Sequence, residues 1–365
     1  MSKTNRQPKP TTILTGFLGA GKTTYLNHML ENNPDVRYAI IENEYGEQSI
    51  DSDLIIRAED DIVELNNGCL CCTLNDNLYD ILNTLFERRD EYDEIIIEAT
   101  GVADPTGLAE PFIAHSAIKK QFPLNSIICI VDAELIYDHL QDTVEAISQI
   151  TFSDVLLINK TSLISESYLK SLEEELGRLN PLARIVLEEN GNFPQIAPGT
   201  HNALFDEMHY KKQAHHHDHG HGHHHEHKHH HGHDHKHHHH DTKDHFPVQK
   251  PHHHHHHEHT DVVSHTFIID EPLSHSALYH QFLTYLMFQS KGLYRMKGLI
   301  NMNNSDQQFI IQSVGKRLNI SEKRAWAADE KRQSTIVFIG KNIKREGLEK
   351  LLYRCVASPT ASSKK

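Results

Sequence analysis

The chain lacks an uninterrupted apolar run of the roughly 18 residues that a membrane-spanning helix needs. Its opening stretch, MSKTNRQPKP, lacks the apolar core of a secretory signal, which makes the cytoplasm the expected compartment. It lacks a basic surplus. Lys plus Arg number 36 against 50 Asp plus Glu, a net charge of −14, which argues against the electrostatic footprint of a nucleic-acid binder. Cysteine is sparse, at 5 in 365 residues, and thiols in that compartment stay reduced. Cys129 and Cys355 stand alone in apolar runs and read as core residues. The other three are crowded into NNGCLCCTLND as Cys69, Cys71 and Cys72. Thiolates at this spacing suit zinc, copper(I) or iron–sulfur chemistry, and they sit too close together for a relaxed disulfide to be the obvious outcome. On this stretch alone, a redox pair and a nucleophile also stay open.

What the chain has in excess is histidine. It holds 34, and 26 of them lie between His215 and His259. On either side of that segment the apolar residues recover. From Thr11 to about Val186, short β-branched runs (TTILTGF, RYAIIENE, EIIIEAT, SIICIVDA, DVLLINK, RIVLEE) alternate with amphipathic stretches such as 22–31, 76–90 and 166–179. Continuous apolar strands separated by helices imply an α/β fold with a mostly parallel sheet covered on both faces. After the histidines, VVSHTFIID, LYRMKGLINM, QQFIIQSVG and STIVFIG read as strands, and 276–288 and 345–356 as helices, which makes a small α+β domain. The expected organisation is a nucleotide-binding domain over 9–209, a His-rich linker over 210–261, an α+β domain over 262–357 and a disordered tail over 358–365.

GFLGAGKT, Gly16 to Thr23, fits G-x-x-x-x-G-K-[ST], follows a strand and opens a helix, which is the context that the phosphate-binding loop requires. Gly16, Gly19, Ala20 and Gly21 let backbone N–H groups turn around phosphate oxygens. Lys22 brings a cation to the β- and γ-phosphates, Thr23 offers a hydroxyl to magnesium, and Thr24 continues the helix mouth. EIIIEATG ends in Glu98 and Gly101. An acid there can hold magnesium through water, and the Gly101 N–H can meet the γ-phosphate, although a strand merely ending in a polar residue would look the same. LLINKTS resembles the guanine-reading N-K-x-D motif. Asn159 meets the base edge, the Lys160 stem lies over the ring, and Ser162 stands where an Asp is expected, so guanine is read less strictly. GTP with magnesium is the expected nucleotide.

These motifs, with GCLCC between them, resemble the CobW-type P-loop GTPases, a family of metallochaperones and metallocentre-assembly proteins. The resemblance runs through TGFLGAGKTT, IENEYGE, the Cys-x-Cys-Cys, EATGVADP, VDA, INK, the histidine insertion, and RMKG and QSVG near the end. It is strongest toward the zinc chaperone branch. It implies Glu42, Cys71 and His115 as zinc ligands, with Cys69 and Cys72 as alternates. Glu42 could instead serve magnesium or orient water, and Asp51 is a further magnesium or switch candidate. It also implies a client metalloprotein as partner and a nucleotide- or metal-dependent dimer. The histidine arm, with His215, His223, His229, His237 and His252 among its imidazoles, reads as many weak, poorly selective sites that concentrate metal near the fixed one. Two other functions fit the same motifs: a GTPase that assists cobalt or iron insertion, and a zinc store whose nucleotide site is vestigial. In the last domain Arg295, Lys297 and Trp326 mark a contact surface, and His265, His275 and His280 read as structural.

Overall fold

The computed structural model describes residues 7–42, 62–64, 74–196 and 261–357; Cys69, Cys71, Cys72, Asp51 and the whole histidine arm lie outside the described residues. The first half is one parallel sheet of seven strands: β1 Thr11–Thr15, β2 Tyr38–Glu42, β3 Ile62–Glu64, β4 Glu94–Glu98, β5 Leu124–Asp132, β6 Val155–Asn159 and β7 Arg184–Leu187. Their order is β3-β2-β4-β1-β5-β6-β7. Helices α1 Lys22–Asn32, α2 Leu74–Glu87, α3 Pro105–Ala114, α4 Ser116–Gln121, α5 Ile136–Asp142, α6 Val144–Phe152 and α7 Glu166–Leu179 flank it.

The apolar runs make central strands because both of their faces are covered. Ile13, Ile41, Ile95 and Ile97 face Leu78, Ile81, Leu82 and Leu85 of α2 and Phe112 of α3. That α2 spacing is the three-and-four step of an amphipathic helix. On the other face Leu14, Ile40, Ile96 and Ile128 pack on Tyr25 and Leu26 of α1. Cys129 falls in the core, 2% exposed, and burial pushes its thiol up to about 12, which makes it chemically inert as expected of a core residue.

The second half is a five-stranded antiparallel sheet. It comprises β8 Val262–Ile269, β9 Leu293–Asn301, β10 Gln307–Val314, β11 Arg317–Ala325 and β12 Ser334–Lys341, in the order β11-β10-β9-β12-β8. Helices α8 His275–Phe288 and α9 Arg345–Tyr353 cover one face through Leu278, Phe282, Leu286, Leu348 and Leu352. The opposite face, with Leu299, Ile310, Val337 and Ile339, joins Leu172, Leu176 and Leu179 of α7 in a single apolar cluster. The two halves therefore share a core.

Arg295 and Lys297 project from β9 into that junction, where only 3% and 2% of each is exposed. They are a contact surface, as expected, but one turned inward onto the first half. Asp154, at the foot of β6, accepts Arg295 Nη2 at 2.6 Å, Lys297 Nζ at 3.3 Å and the Ile127 N–H at 3.0 Å. Arg295 Nη1 donates to the Phe152 carbonyl and, at 2.9 Å, to that of Ser153, and its guanidinium lies over the Phe152 ring. Burial pushes the Lys297 amine down to about 8, against the opposing pull of Asp154. Trp326 is buried in the same cluster. His265 Nε2 donates to the Ile343 carbonyl at 3.1 Å, a structural contact within the second half.

Candidate functional site

Parallel α/β sheets bind ligands beyond the carboxyl ends of their strands, where the strand order reverses. Here that point is β1, between β4 and β5, and the loop that leaves β1 is Gly16–Gly21. Two of its glycines are required by geometry. Gly16 has φ 137° and Gly21 φ 99°; a side chain at the first would collide with the Ile130 backbone and at the second with the Asn159 amide. Helix α1 then starts at Lys22, so its unpaired N–H groups face the loop. Lys22 folds back over the loop, donating to the carbonyls of Gly16 at 3.0 Å and Phe17 at 3.3 Å.

The strand ends bring the other candidates in. Thr23 Oγ1 donates to Glu98 Oε1 at 2.9 Å, joining the start of α1 to the end of β4. Two hard oxygen donors held together fit magnesium: Thr23 and Glu98 would hold it, and it would supply positive charge beside the phosphates. The neighbouring Thr100 Oγ1 is buried with no hydrogen-bond partner among the described residues. Gly101 lies directly against Leu18 of the phosphate loop.

On the other flank, Asn159 Nδ2 donates to the Ala20 carbonyl at 2.8 Å, and its Oδ1 accepts the Lys160 N–H at 2.8 Å. Lys160 takes the left-handed conformation, φ 61°, and its ammonium reaches Asp132 Oδ2 at 2.6 Å. The N-K pair is thus tied to the phosphate loop on one side and to the end of β5 on the other. A cavity of about 330 Å³ opens beside it, lined by Thr161, Ser162, Glu166 and Glu188–Asn190.

Of the metal candidates, Glu42 lies opposite Glu98 in strand register, at the same edge of the sheet. His115 is exposed, ends α3, and meets Tyr79 of α2 edge to face with ring centroids 5.3 Å apart. Helix α2 opens two residues after Cys72, so His115 rests against the helix that the cysteines lead into. Among the described residues alone, no three His, Cys, Asp or Glu groups cluster closely enough to hold a metal ion.

Several working residues were given no role by the sequence motifs, Asp132 of VDA among them. Asp132 fixes Lys160, and Glu188 accepts from Thr161 Oγ1 at 3.3 Å and from the Gly191 N–H, joining the loops after β6 and β7. Gln149, 1% exposed, donates to the carbonyls of Gly101 at 3.0 Å and Ala103 at 3.2 Å. The one available signal was polar Ser148 and Gln149 in the middle of the apolar VEAISQITF.

Comparison with known proteins follows the same outline. Residues 10–187 match the family described as CobW/HypB/UreG, nucleotide-binding domain, and residues 262–356 match the cobalamin synthesis protein cobW C-terminal domain. The chain is 29% identical over 344 residues to the zinc chaperone YjiA of Escherichia coli, covering 93% of this chain and 96% of that one. It is also 29% identical over 362 residues to the zinc-regulated GTPase metalloprotein activator 1 of Schizosaccharomyces pombe, covering 93% and 84%. Among solved structures, the Zn(II)-bound YjiA GTPase from E. coli shares the fold, with a TM-score of 0.64 at 24% identity over 96% of this chain and 100% of that one. With a phosphate loop in its family setting and both characteristic domains present in order, the chain belongs to the CobW family of P-loop GTPases.

Proposed function

We propose that this protein is a GTP-hydrolysing zinc metallochaperone, which couples nucleotide state to zinc binding and to delivery of zinc to a client metalloprotein. The observation that carries the reading is the Thr23–Glu98 pair closing the mouth of the phosphate loop, because a metal store with a vestigial nucleotide site has no use for it. The names of the relatives, zinc chaperone and zinc-regulated GTPase metalloprotein activator, point the same way.

In this reading the backbone of Gly16, Gly19, Ala20 and Gly21 holds the phosphates, Lys22 swings from the loop carbonyls onto the β- and γ-oxygens, and Thr23 with Glu98 holds magnesium. Asn159 and Lys160 seat the base. Gly101 meets the γ-phosphate, and its segment relaxes when that phosphate leaves. Zinc is the cargo. Glu42, Cys71 and His115 are its ligands, with Cys69 and Cys72 as alternates, a thiolate, imidazole and carboxylate set that suits zinc. The placement of Glu42 beside Glu98 and of His115 against α2 supports that set. The histidine arm supplies zinc from weaker sites.

Zinc is expected to accelerate GTP turnover by the full chain, and Cys71→Ala to lose that acceleration while keeping the basal rate. Rates measured with zinc, cobalt and iron(II) in both proteins check this. An equal zinc response in Cys71→Ala would remove Cys71 from the ligand set, and a response to cobalt or iron alone would replace zinc as the cargo.

A further inference from the structure

Helix α6 lies between the loop after β4 and the junction of the two halves, and buried hydrogen bonds from Gln149 and its C-cap Ser153, partly through their main-chain carbonyls, link the two. At one end Gln149 Nε2 donates to the Gly101 carbonyl at 3.0 Å and to that of Ala103 at 3.2 Å. One turn on, Ser153 Oγ donates to the Gln149 carbonyl at 2.6 Å. The Ser153 carbonyl in turn accepts Arg295 Nη1 at 2.9 Å, from strand β9 of the C-terminal domain. Gln149, Ser153 and Arg295 are 1%, 0% and 3% exposed. Beside this chain, Ser148 Oγ donates at 2.7 Å to Asp104 Oδ1, the carboxylate that caps α3 through the Thr106 N–H at 2.9 Å.

Buried amides and guanidinium groups are held to one geometry by the cost of leaving them unsatisfied. If the Gly101 peptide turns to meet or release a γ-phosphate, its carbonyl must move with its neighbours. Gln149 is then obliged to follow or to lose a buried bond. Ser153 and Arg295 transmit the same constraint to β9. A polar Gln at this place is costly in an apolar helix, and packing alone would be met by Leu or Met.

We propose that Gln149 is the positioning residue through which the γ-phosphate state is relayed to the C-terminal domain, by way of Ser153 and Arg295. The proposal rests on the nucleotide reading given above, in which Gly101 senses the γ-phosphate. The relay gives the chaperone its output: the nucleotide changes how firmly β9 and its sheet are seated, and so which face the domain shows a client. By reciprocity, a partner that reseats the domain alters the GTP-to-GDP preference by the same factor.

The test uses the full chain loaded with a non-hydrolysable GTP analogue, with GDP, or with neither. Amide hydrogen exchange is followed across residues 293–299, together with the affinity for each nucleotide. In the wild type, exchange in that strand is expected to differ between the analogue and GDP states by about fivefold or more, the lower end of ordinary coupling. Gln149→Met and Ser153→Ala, which break the chain at different links, are each expected to abolish that difference while still binding GDP. Their double mutant should add no further loss. A purely structural Gln149 would lower the melting temperature and leave the nucleotide-dependent difference in place, which would overturn the relay. Analogue binding with identical exchange in both wild-type states would also overturn it and leave the GTPase reading standing. Failure to bind any guanine nucleotide would overturn both.

Discussion

Lys22→Ala lowers GTP turnover by about 100- to 1,000-fold, the usual loss on removing one preorganised donor to a charged transition state. The fold is expected to survive. Alanine is a good helix former at the start of α1, and Lys22 donates hydrogen bonds to the loop carbonyls of Gly16 and Phe17. In the proposed reading the effect falls on chemistry, because Lys22 is the one cation within Gly16–Thr23 and would reach the phosphates from there. GDP binding, which draws chiefly on backbone N–H groups and the helix N-terminus, should weaken less than turnover. Steady-state GTPase assays with a circular dichroism control check the prediction, and unchanged turnover would deny Lys22 its place.

Asp154→Ala is expected to cost about 3 to 5 kcal/mol, the usual penalty for stripping one partner from a buried ion pair. The Asp154 carboxylate is the acceptor for both Arg295 and Lys297, and it also caps the Ile127 N–H. At the scale of a domain this size, the loss lowers the melting temperature by roughly 6 to 20 °C. The pH dependence separates this cause from a simple cavity. Burial already holds Lys297 down to about 8. A lysine depressed in the folded state binds fewer protons there than in the unfolded chain, so stability rises as pH climbs from the folded value toward the unfolded one. Without Asp154 to favour the charged amine, that rise begins at lower pH. The variant should therefore recover part of its deficit as pH rises toward about 8, above which both proteins gain stability in parallel. Thermal melts across that range check it, and a deficit independent of pH would show that the amine is not part of the penalty.

The sheet of the first half was legible because its strands are buried on both faces and therefore written as unbroken β-branched runs, as in EIIIE and VLLIN. The phosphate loop was legible because its backbone geometry demands glycine at fixed places, and Gly16 and Gly21 both occupy conformations that side chains would block. Strand β11, RLNISEKRA, was not read as a strand. It is an edge strand with much of its surface exposed, and its Lys and Arg residues hide the alternation while protecting the edge from further pairing. Helix α3 was missed for a related reason. PTGLAEPFIA carries two prolines and a glycine, yet Pro105 sits at the first turn where no N–H is needed, and Asp104 supplies the cap. The partners of Arg295 and Lys297 could not be read at all. A charge pattern in β9 says that something opposite must compensate it, but not that the compensation comes from Asp154, 141 residues earlier in the case of Arg295.

The same limit governs the candidate site. Residues contributed by one local motif, Lys22 and Thr23, are recognisable from spacing. Residues that act by bracing that motif, such as Glu188 and Gln149, become visible only when the fold brings them within hydrogen-bonding reach, and the role of Asp132, in VDA, only through its bond to Lys160. Asp132 braces Lys160, Glu188 joins the loops after β6 and β7, and Gln149 holds the Gly101 carbonyl.

The central claim is that nucleotide state and zinc affinity are linked. Zinc affinity of the full chain should be measured by competition with a chelating indicator in three states: loaded with a non-hydrolysable GTP analogue and magnesium, loaded with GDP and magnesium, and nucleotide-free. The account predicts affinities for the analogue and GDP states that differ by at least about fivefold, tighter with the analogue, and the same factor when the analogue-to-GDP affinity ratio is measured with and without zinc. Identical zinc affinities in all three states would contradict it.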